Sequence, residues 1–212
     1  MQFVDLLSIQ SRDGALIHNE SVACYSLALL RYIKQKSNST PTSASSSPLS
    51  ENIIKELEEM SEEDLVVMAL LHDLGKHAIE PSLLNHPALD NTQSKLLSSQ
   101  MSDHTSSALE QLELERYTSF LTPFYQFQLS RGSQCKIHAI SFLLAICDMY
   151  DALTAPKLYK GKPWSVQGVL EEIVRLAYHS DMKPIITHFI ELMKPEEKEI
   201  KLTSSKATKM FK

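Results

Sequence analysis

The chain has 212 residues, of which 43% are hydrophobic and 22% charged, and its formal net charge is −5 at pH 7. This composition is typical of a soluble globular protein that is long enough to bury one sizeable core. The negative charge argues against nucleic acid or an anionic membrane as the main partner, and no run of about 18 apolar residues predicts a membrane span.

The sequence predicts neither a targeting segment nor a disulfide framework. The N-terminal stretch MQFVDLLSIQSRDG has no basic region ahead of its apolar residues, unlike a secretory signal. The three cysteines are odd in number and show no CxxC spacing. These features predict a cytoplasmic protein whose cysteines are reduced.

Scarce glycine and the helical spacing of apolar residues predict an all-α fold. The first helix is expected from Asn19 to about Lys36, entered just after His18. Residues 37–50 are rich in Ser, Thr and Pro and predict a flexible loop, because such a stretch buries too little surface to offset its ordering entropy. Another helix is expected from about Glu51.

A further start signal lies at Ser61, with Asp64 at the third helical position. This helix is expected to run to about Leu71. Gly75 is expected to stop it, since glycine is favoured just beyond a helix C-cap. The next helix is expected from about Thr92 to Glu115.

The second half of the chain contains its most apolar segment, Ile137–Leu153, which predicts a buried helix. The interval Thr118–Gln134 shows no clear periodicity, and its aromatic part, Phe120–Phe127, could pack in the core or form a homodimer surface. Ser165 and Asp181 predict the starts of two further helices.

The predicted elements belong to one domain. We expect that domain to span residues 1–194, because the Ser-rich stretch has too little chain before it to separate two domains. Residues 195–212 are highly charged and are expected to form a frayed C-terminal tail.

The stretch LLHDLGKHAIE places His72 and Asp73 side by side behind two leucines. Adjacent helical side chains project about 100° apart, so both reach one point only where a helix unwinds at its end. A bound ion would stabilise that convergence, since imidazole and carboxylate are good ligands for Zn, Fe, Mn or Ni. Alternatively, His72 caps the helix and Asp73 turns to solvent.

A second ionisable position lies in FLLAICDMYDAL, where Asp148 stands among apolar residues. Charged groups in such surroundings usually have a partner. Asp151 follows three residues later, on a neighbouring part of the same face. Asp148 alone would indicate a structural hydrogen bond, but together with His72 and Asp73 it keeps a metal site open beside that structural interpretation.

These residues follow the H…HD…D pattern of HD-domain metal-dependent phosphohydrolases, which the chain resembles: His18, His72, Asp73 and Asp148. The stretches LLHDLGKHAIEPSLLNHPALD and DMYDALTAPKLYKGKPWSVQGVLEEI are similar to the corresponding parts of one branch, the HD-GYP cyclic-di-GMP phosphodiesterases. His104 falls where that branch has a further histidine. The resemblance implies an HD-domain-like helical bundle.

The resemblance also implies roles for the residues of the pattern. The four residues His18, His72, Asp73 and Asp148 would hold one divalent ion (Fe, Mn, Ni or Zn). Asp73 would also orient the attacking water, and Lys76 would place its ammonium by the phosphate. His104 would bind a second ion or line the site.

The chain departs from the HD-GYP pattern between His104 and Asp148. It holds FYQFQLSRGSQCKIH where that branch has HHExxDGxGYP, and His138 is expected to be structural. Two hypotheses remain. The chain could be a phosphohydrolase or phosphodiesterase acting on a nucleotide or cyclic-dinucleotide-like substrate. It could instead be a degenerate signalling module that binds a ligand or a protein partner without turnover.

Overall fold

The computed structural model describes six ranges of the chain: residues 15–38, 49–80, 90–129, 137–155, 163–176 and 181–194. These ranges are helical and contain no β-strand, which confirms the all-α prediction. Most of the loop expected at 37–50, and all of the tail expected at 195–212, lie outside the described residues. No helix within these ranges is long and apolar enough to cross a lipid bilayer.

The α-helices are numbered in chain order: α1 Ala15–Ser37, α2 Glu51–Glu59, α3 Glu62–Leu71, α4 Asn91–Gln111, α5 Thr118–Leu129, α6 Ala139–Thr154, α7 Val166–Leu176 and α8 at residues 183–194. There are also two short 3₁₀ turns: Leu74–Ala78 follows α3, and Glu115–Tyr117 precedes α5. Helix α1 begins at Ala15 rather than at Asn19, so His18 lies inside its first turn.

Helix α6 is the centre of the fold. Every residue from Ala139 to Asp148 is buried, and the helix packs against α1, α2, α5 and α7. A helix that is apolar on nearly all sides is typical of one surrounded by other elements. Because α1 also packs on α3, the first turn of α1, the end of α3 and the aspartates of α6 are brought towards one another.

Local sequence signals account for several helix starts. Ser61 accepts a hydrogen bond from the backbone N–H of Asp64 at 3.0 Å, and Ser165 accepts one from that of Gly168 at 3.1 Å. Asp90 forms a capping box at the start of α4. These side chains pair with N–H groups that have no partner within the helix, and the caps predicted at Ser61 and Ser165 are confirmed.

Helix α5 is an element that the sequence did not indicate. Pro123 lies inside it, and a proline in a helix interior removes one backbone hydrogen bond. The buried aromatic rings of Phe124, Tyr125 and Phe127 offset that cost by filling the core. Their burial agrees with core packing of the aromatic stretch, while the homodimer stays a prediction.

Gly75 does not stop α3, as the sequence had suggested, because the helix ends at Leu71 and Gly75 lies inside the following 3₁₀ turn. The residue is buried against α4. A Cβ atom added to it would overlap the carbonyl oxygen of Met101 and would lie 2.5 Å from the hydroxyl oxygen of Thr105. Glycine is needed here because the turn approaches the backbone of α4 closely.

We therefore expect Gly75→Ala to lower the free energy of unfolding by about 1–3 kcal/mol, the usual cost of overpacking. Urea unfolding followed by circular dichroism measures it. The matched control is Gly168→Ala, where the nearest atom is the movable Ser165 hydroxyl oxygen at 3.3 Å. The free energy of unfolding of Gly168→Ala should stay within about 1 kcal/mol of that of the wild type. Equal losses in both variants would contradict the close approach at Gly75.

Candidate metal centre

Four ionisable side chains from three elements meet beside the buried face of α6. His18 of α1 lies with its Nε2 atom 2.8 Å from Oδ1 of Asp148 and 4.0 Å from Oδ2 of Asp73. Nε2 of His72 lies 3.2 Å from Oδ1 of Asp73 and 3.4 Å from Oδ1 of Asp148. The structure thus brings together four of the five residues that were predicted as metal ligands, His18, His72, Asp73 and Asp148, but not His104.

The adjacent side chains of His72 and Asp73 converge because α3 ends immediately before them and a 3₁₀ turn takes over. Nδ1 of His72 pairs with the carbonyl oxygen of Ala69 at 2.6 Å, and the Asn19 amide donates to the carbonyl of Leu70 at 3.0 Å. His72 therefore caps the helix through one ring nitrogen and faces the cluster through the other. Asp73 is 7% exposed, so it does not turn to solvent.

The buried hydroxyl group of Tyr125 holds the turn that follows α3. It donates to the carbonyl oxygen of His72 at 2.5 Å and accepts from the Thr105 hydroxyl at 2.9 Å and from the N–H of Gly75 at 3.4 Å. Burial raises the pKa of Tyr125, so the hydroxyl keeps its proton as a donor. One side chain of α5 thereby ties the His-Asp turn to α4.

Lys76 lies in the 3₁₀ turn after α3 and compensates the charge of the buried carboxylates. Its ammonium group forms an ion pair with Oδ1 of Asp73. Burial opposes the charged form of Lys76, but the nearby Asp73 and Asp148 carboxylates outweigh it and raise the lysine's pKa. Burial likewise opposes ionisation of Asp73, yet His72 and Lys76 keep the pKa of that carboxyl below its usual range.

His18 is the second cationic group of the cluster. Burial by itself would lower the pKa of its ring, but hydrogen bonds to Asp148 and Asp151 raise that pKa to about 9. Burial would also raise the pKa of Asp148, whereas the hydrogen bond from His18 and the neighbouring His72 ring hold it well below its usual range. The imidazole and the carboxylates therefore stabilise each other's charged forms.

Asp151 belongs to this cluster, although the sequence did not select it as a site residue. It is buried on α6, and its Oδ2 atom lies 2.6 Å from Nδ1 of His18. The signal that could have found it is its spacing, because residues three apart on a helix share one side and Asp148 was already a candidate there. The sequence alone does not show which residue Asp151 faces.

The donor set fits one divalent ion. Ligand atoms of His18, His72 and Asp73 all lie within 4.8 Å of one another. Neighbouring ligand atoms at bond lengths of about 2.0–2.1 Å lie roughly 3 Å apart, close to the distances around His72. The His72 ring is fully buried, and its Nε2 atom makes no hydrogen bond of good geometry with any described residue. Imidazole and carboxylate together suit Zn, Fe, Mn or Ni.

The structure does not bring His104 into the cluster. Its side chain is exposed on α4, whereas the next residue, Thr105, faces the buried turn. Within the described ranges, His18, His72 and Asp73 form the one group of this kind, so no ligand set for a second ion is found there. His138 is the N-cap residue of α6 and lies 3.6 Å from Glu56, in agreement with a structural role.

Comparisons of the chain with family models, with curated proteins and with solved structures found no match. The HD-type pattern therefore rests on the motifs themselves. What the structure adds is a buried His/Asp cluster in a helical bundle, formed by residues that are far apart in the sequence.

We expect Tyr125→Phe to lower the free energy of unfolding by about 1–3 kcal/mol, because it leaves buried groups of the His-Asp turn without their partner. Thermal and urea unfolding measure this. Tyr32→Phe is the control, since the Tyr32 hydroxyl donates to Glu191 at 3.1 Å in a partly buried pair away from the turn. Tyr32→Phe should lower the free energy of unfolding by about 1 kcal/mol or less. A Tyr125→Phe protein as stable as the wild type would refute the anchoring role.

Proposed function

We propose that the chain is a divergent HD-type domain that hydrolyses a phosphomonoester or phosphodiester with the help of one divalent ion. The observation that carries this proposal is the buried convergence of His18, His72, Asp73 and Asp148, with Lys76 beside them. Buried ion pairs are often no more stabilising than well-packed apolar residues of similar volume. A cluster of this kind is therefore more readily explained by a ligand-binding role than by packing.

The ion would be held by the Nε2 atoms of the two histidines and by carboxylate oxygens of the two aspartates. A bound divalent ion supplies a Lewis acid that polarises a phosphoryl oxygen and lowers the pKa of water near it. Asp73 offers two oxygens with different surroundings. Oδ1 lies against Lys76 and His72, while Oδ2 lies 4.0 Å from the His18 ring. This carboxylate would orient the attacking water.

Lys76 would bind the phosphate group of the substrate. Its side chain is 36% exposed, whereas the neighbouring Asp73 is almost fully buried. Lysine at this position therefore offers a positive charge at the open edge of the cluster, where an anionic substrate can approach. The raised pKa keeps the ammonium charged, and a fixed cation stabilises the charge that develops on a phosphoryl group during transfer. We propose a nucleotide or a cyclic dinucleotide as the substrate.

The alternative function is binding without turnover. It is favoured by the sequence FYQFQLSRGSQCKIH in place of HHExxDGxGYP and by the single ligand group found within the described ranges. In that case the ion would stabilise a signalling module that recognises a ligand or a protein partner. The two proposals share the metal centre and differ only in hydrolysis.

The test compares two histidine variants. Each protein is purified without chelator, and a second sample is reconstituted with Mn, Fe, Ni or Zn. Both samples are assayed for bound metal. They are also assayed for hydrolysis of p-nitrophenyl phosphate, bis-p-nitrophenyl phosphate, nucleotides and cyclic dinucleotides. We expect His72→Ala to lose the ion and to lower kcat/KM by about 100-fold or more. His104→Ala, which removes an exposed imidazole, should keep both properties. Circular dichroism checks that both variants are folded.

The outcomes separate the proposals. A folded wild type that binds none of the four metals contradicts the metal centre and both functions that depend on it. A wild type that binds metal but hydrolyses none of the phosphoesters contradicts the enzyme and leaves the binding module. Equal losses in His72→Ala and His104→Ala would mean that the cluster is not the site.

A further inference from the structure

The His18 ring is held between two carboxylates of α6. Its Nε2 atom lies 2.8 Å from Asp148, and its Nδ1 atom lies 2.6 Å from Asp151 on the opposite side of the ring. The two aspartates are three residues apart on the buried central helix, so their spacing is set by the rigid backbone of α6. Any rotation of the His18 ring would disturb both contacts.

We propose that Asp151 is a positioning residue, which orients the His18 ring so that Nε2 is presented to the divalent ion. This inference rests on the proposed metal centre. A carboxylate at Nδ1 keeps the proton on that nitrogen, so the Nε2 proton of the His18 cation is the one released to solvent when an ion binds at Nε2. Asp151 contacts the ring on the side away from Asp73 and His72, so it acts through His18 and does not itself bind the ion.

His18 needs such a partner because of where it lies. It belongs to the first turn of α1, beside Ile17, whose side chain is 71% exposed. His72, by contrast, is fully buried, and its Nδ1 atom pairs with the carbonyl oxygen of Ala69 at 2.6 Å. Both histidines thus have the same arrangement, with Nδ1 held by an oxygen and Nε2 facing the cluster. For His18 that oxygen comes from a carboxylate of another helix.

The carboxylate should also strengthen the bond to the ion, because a negative partner at Nδ1 makes the imidazole a more basic ligand. Loss of such a partner typically weakens metal binding by about 10- to 100-fold without removing a ligand. This size of effect distinguishes Asp151 from Asp148, whose replacement would remove a ligand and should abolish binding.

The experiment measures the affinity of the full chain for Zn²⁺ or Mn²⁺ alone, by calorimetry or chelator competition, in Asp151→Ala and Asp151→Asn. We expect Asp151→Ala to bind about 10- to 100-fold more weakly than the wild type. Asp151→Asn should fall between them, because its amide oxygen can still accept from Nδ1. Asparagine is nearly isosteric with aspartate, so Asp151→Asn still tests the inference if Asp151→Ala fails to fold. Glu56→Gln is the control, as Glu56 lies beside His138 outside the cluster.

Two further readouts separate positioning from a structural role. In ¹⁵N NMR of the metal-bound wild type, His18 should be a single species with Nε2 coordinated and Nδ1 protonated. In Asp151→Ala, a fraction of the His18 rings should be uncoordinated or coordinated through Nδ1. A purely structural residue would lower the thermal stability of the metal-free protein and leave the affinity unchanged, which would overturn the inference. If the wild type itself binds no ion, the metal centre fails as well, whereas an unchanged affinity in Asp151→Ala overturns this inference alone.

Discussion

The burial of carboxylates in the centre of a helical bundle is the constraint on which the rest of the structure depends. Asp73 and Asp148 lie almost out of contact with solvent, where an uncompensated charge is strongly unfavourable. The compensation comes from Lys76 in the turn after α3 and from His18 at the start of α1. Three elements must therefore meet at one point, and the closely approaching glycine and the anchoring tyrosine described above keep the turn in place.

The same constraint is compatible with the metal centre proposed above. Without an ion, histidine and lysine cations neutralise the aspartates through direct contacts. In the proposed metal-bound state the same nitrogen and oxygen atoms would be the ligands, since they already lie at separations typical of a coordination shell. Lys76 is the more exposed member of its ion pair with Asp73, and its charge would suit the anionic phosphate of the proposed substrate. Under the proposed function, metal binding, phosphate recognition and stability of the bundle would depend on one set of side chains.

Much of the fold could be predicted from the sequence, because helix periodicity and capping are local properties. The all-α class, the caps at Ser61 and Ser165 and the buried helix α6 were all indicated by short stretches of chain. The failures have tertiary causes. Helix α5 keeps Pro123 in its interior because its aromatic rings fill the core, and Gly75 is needed for a close contact with α4 rather than for the end of α3.

The candidate site divides in the same way. The residue types and their apolar surroundings pointed to His72, Asp73 and Asp148, and the resemblance to HD-domain phosphohydrolases added His18. They were not enough to pair Asp151 with His18, because those residues are 133 positions apart and their contact depends on how α1 packs against α6. Nor could they show that His104 points outward, because a helix position is buried or exposed only in relation to its neighbours. The sequence determined the chemistry available, and the packing of the helices decided which groups share it.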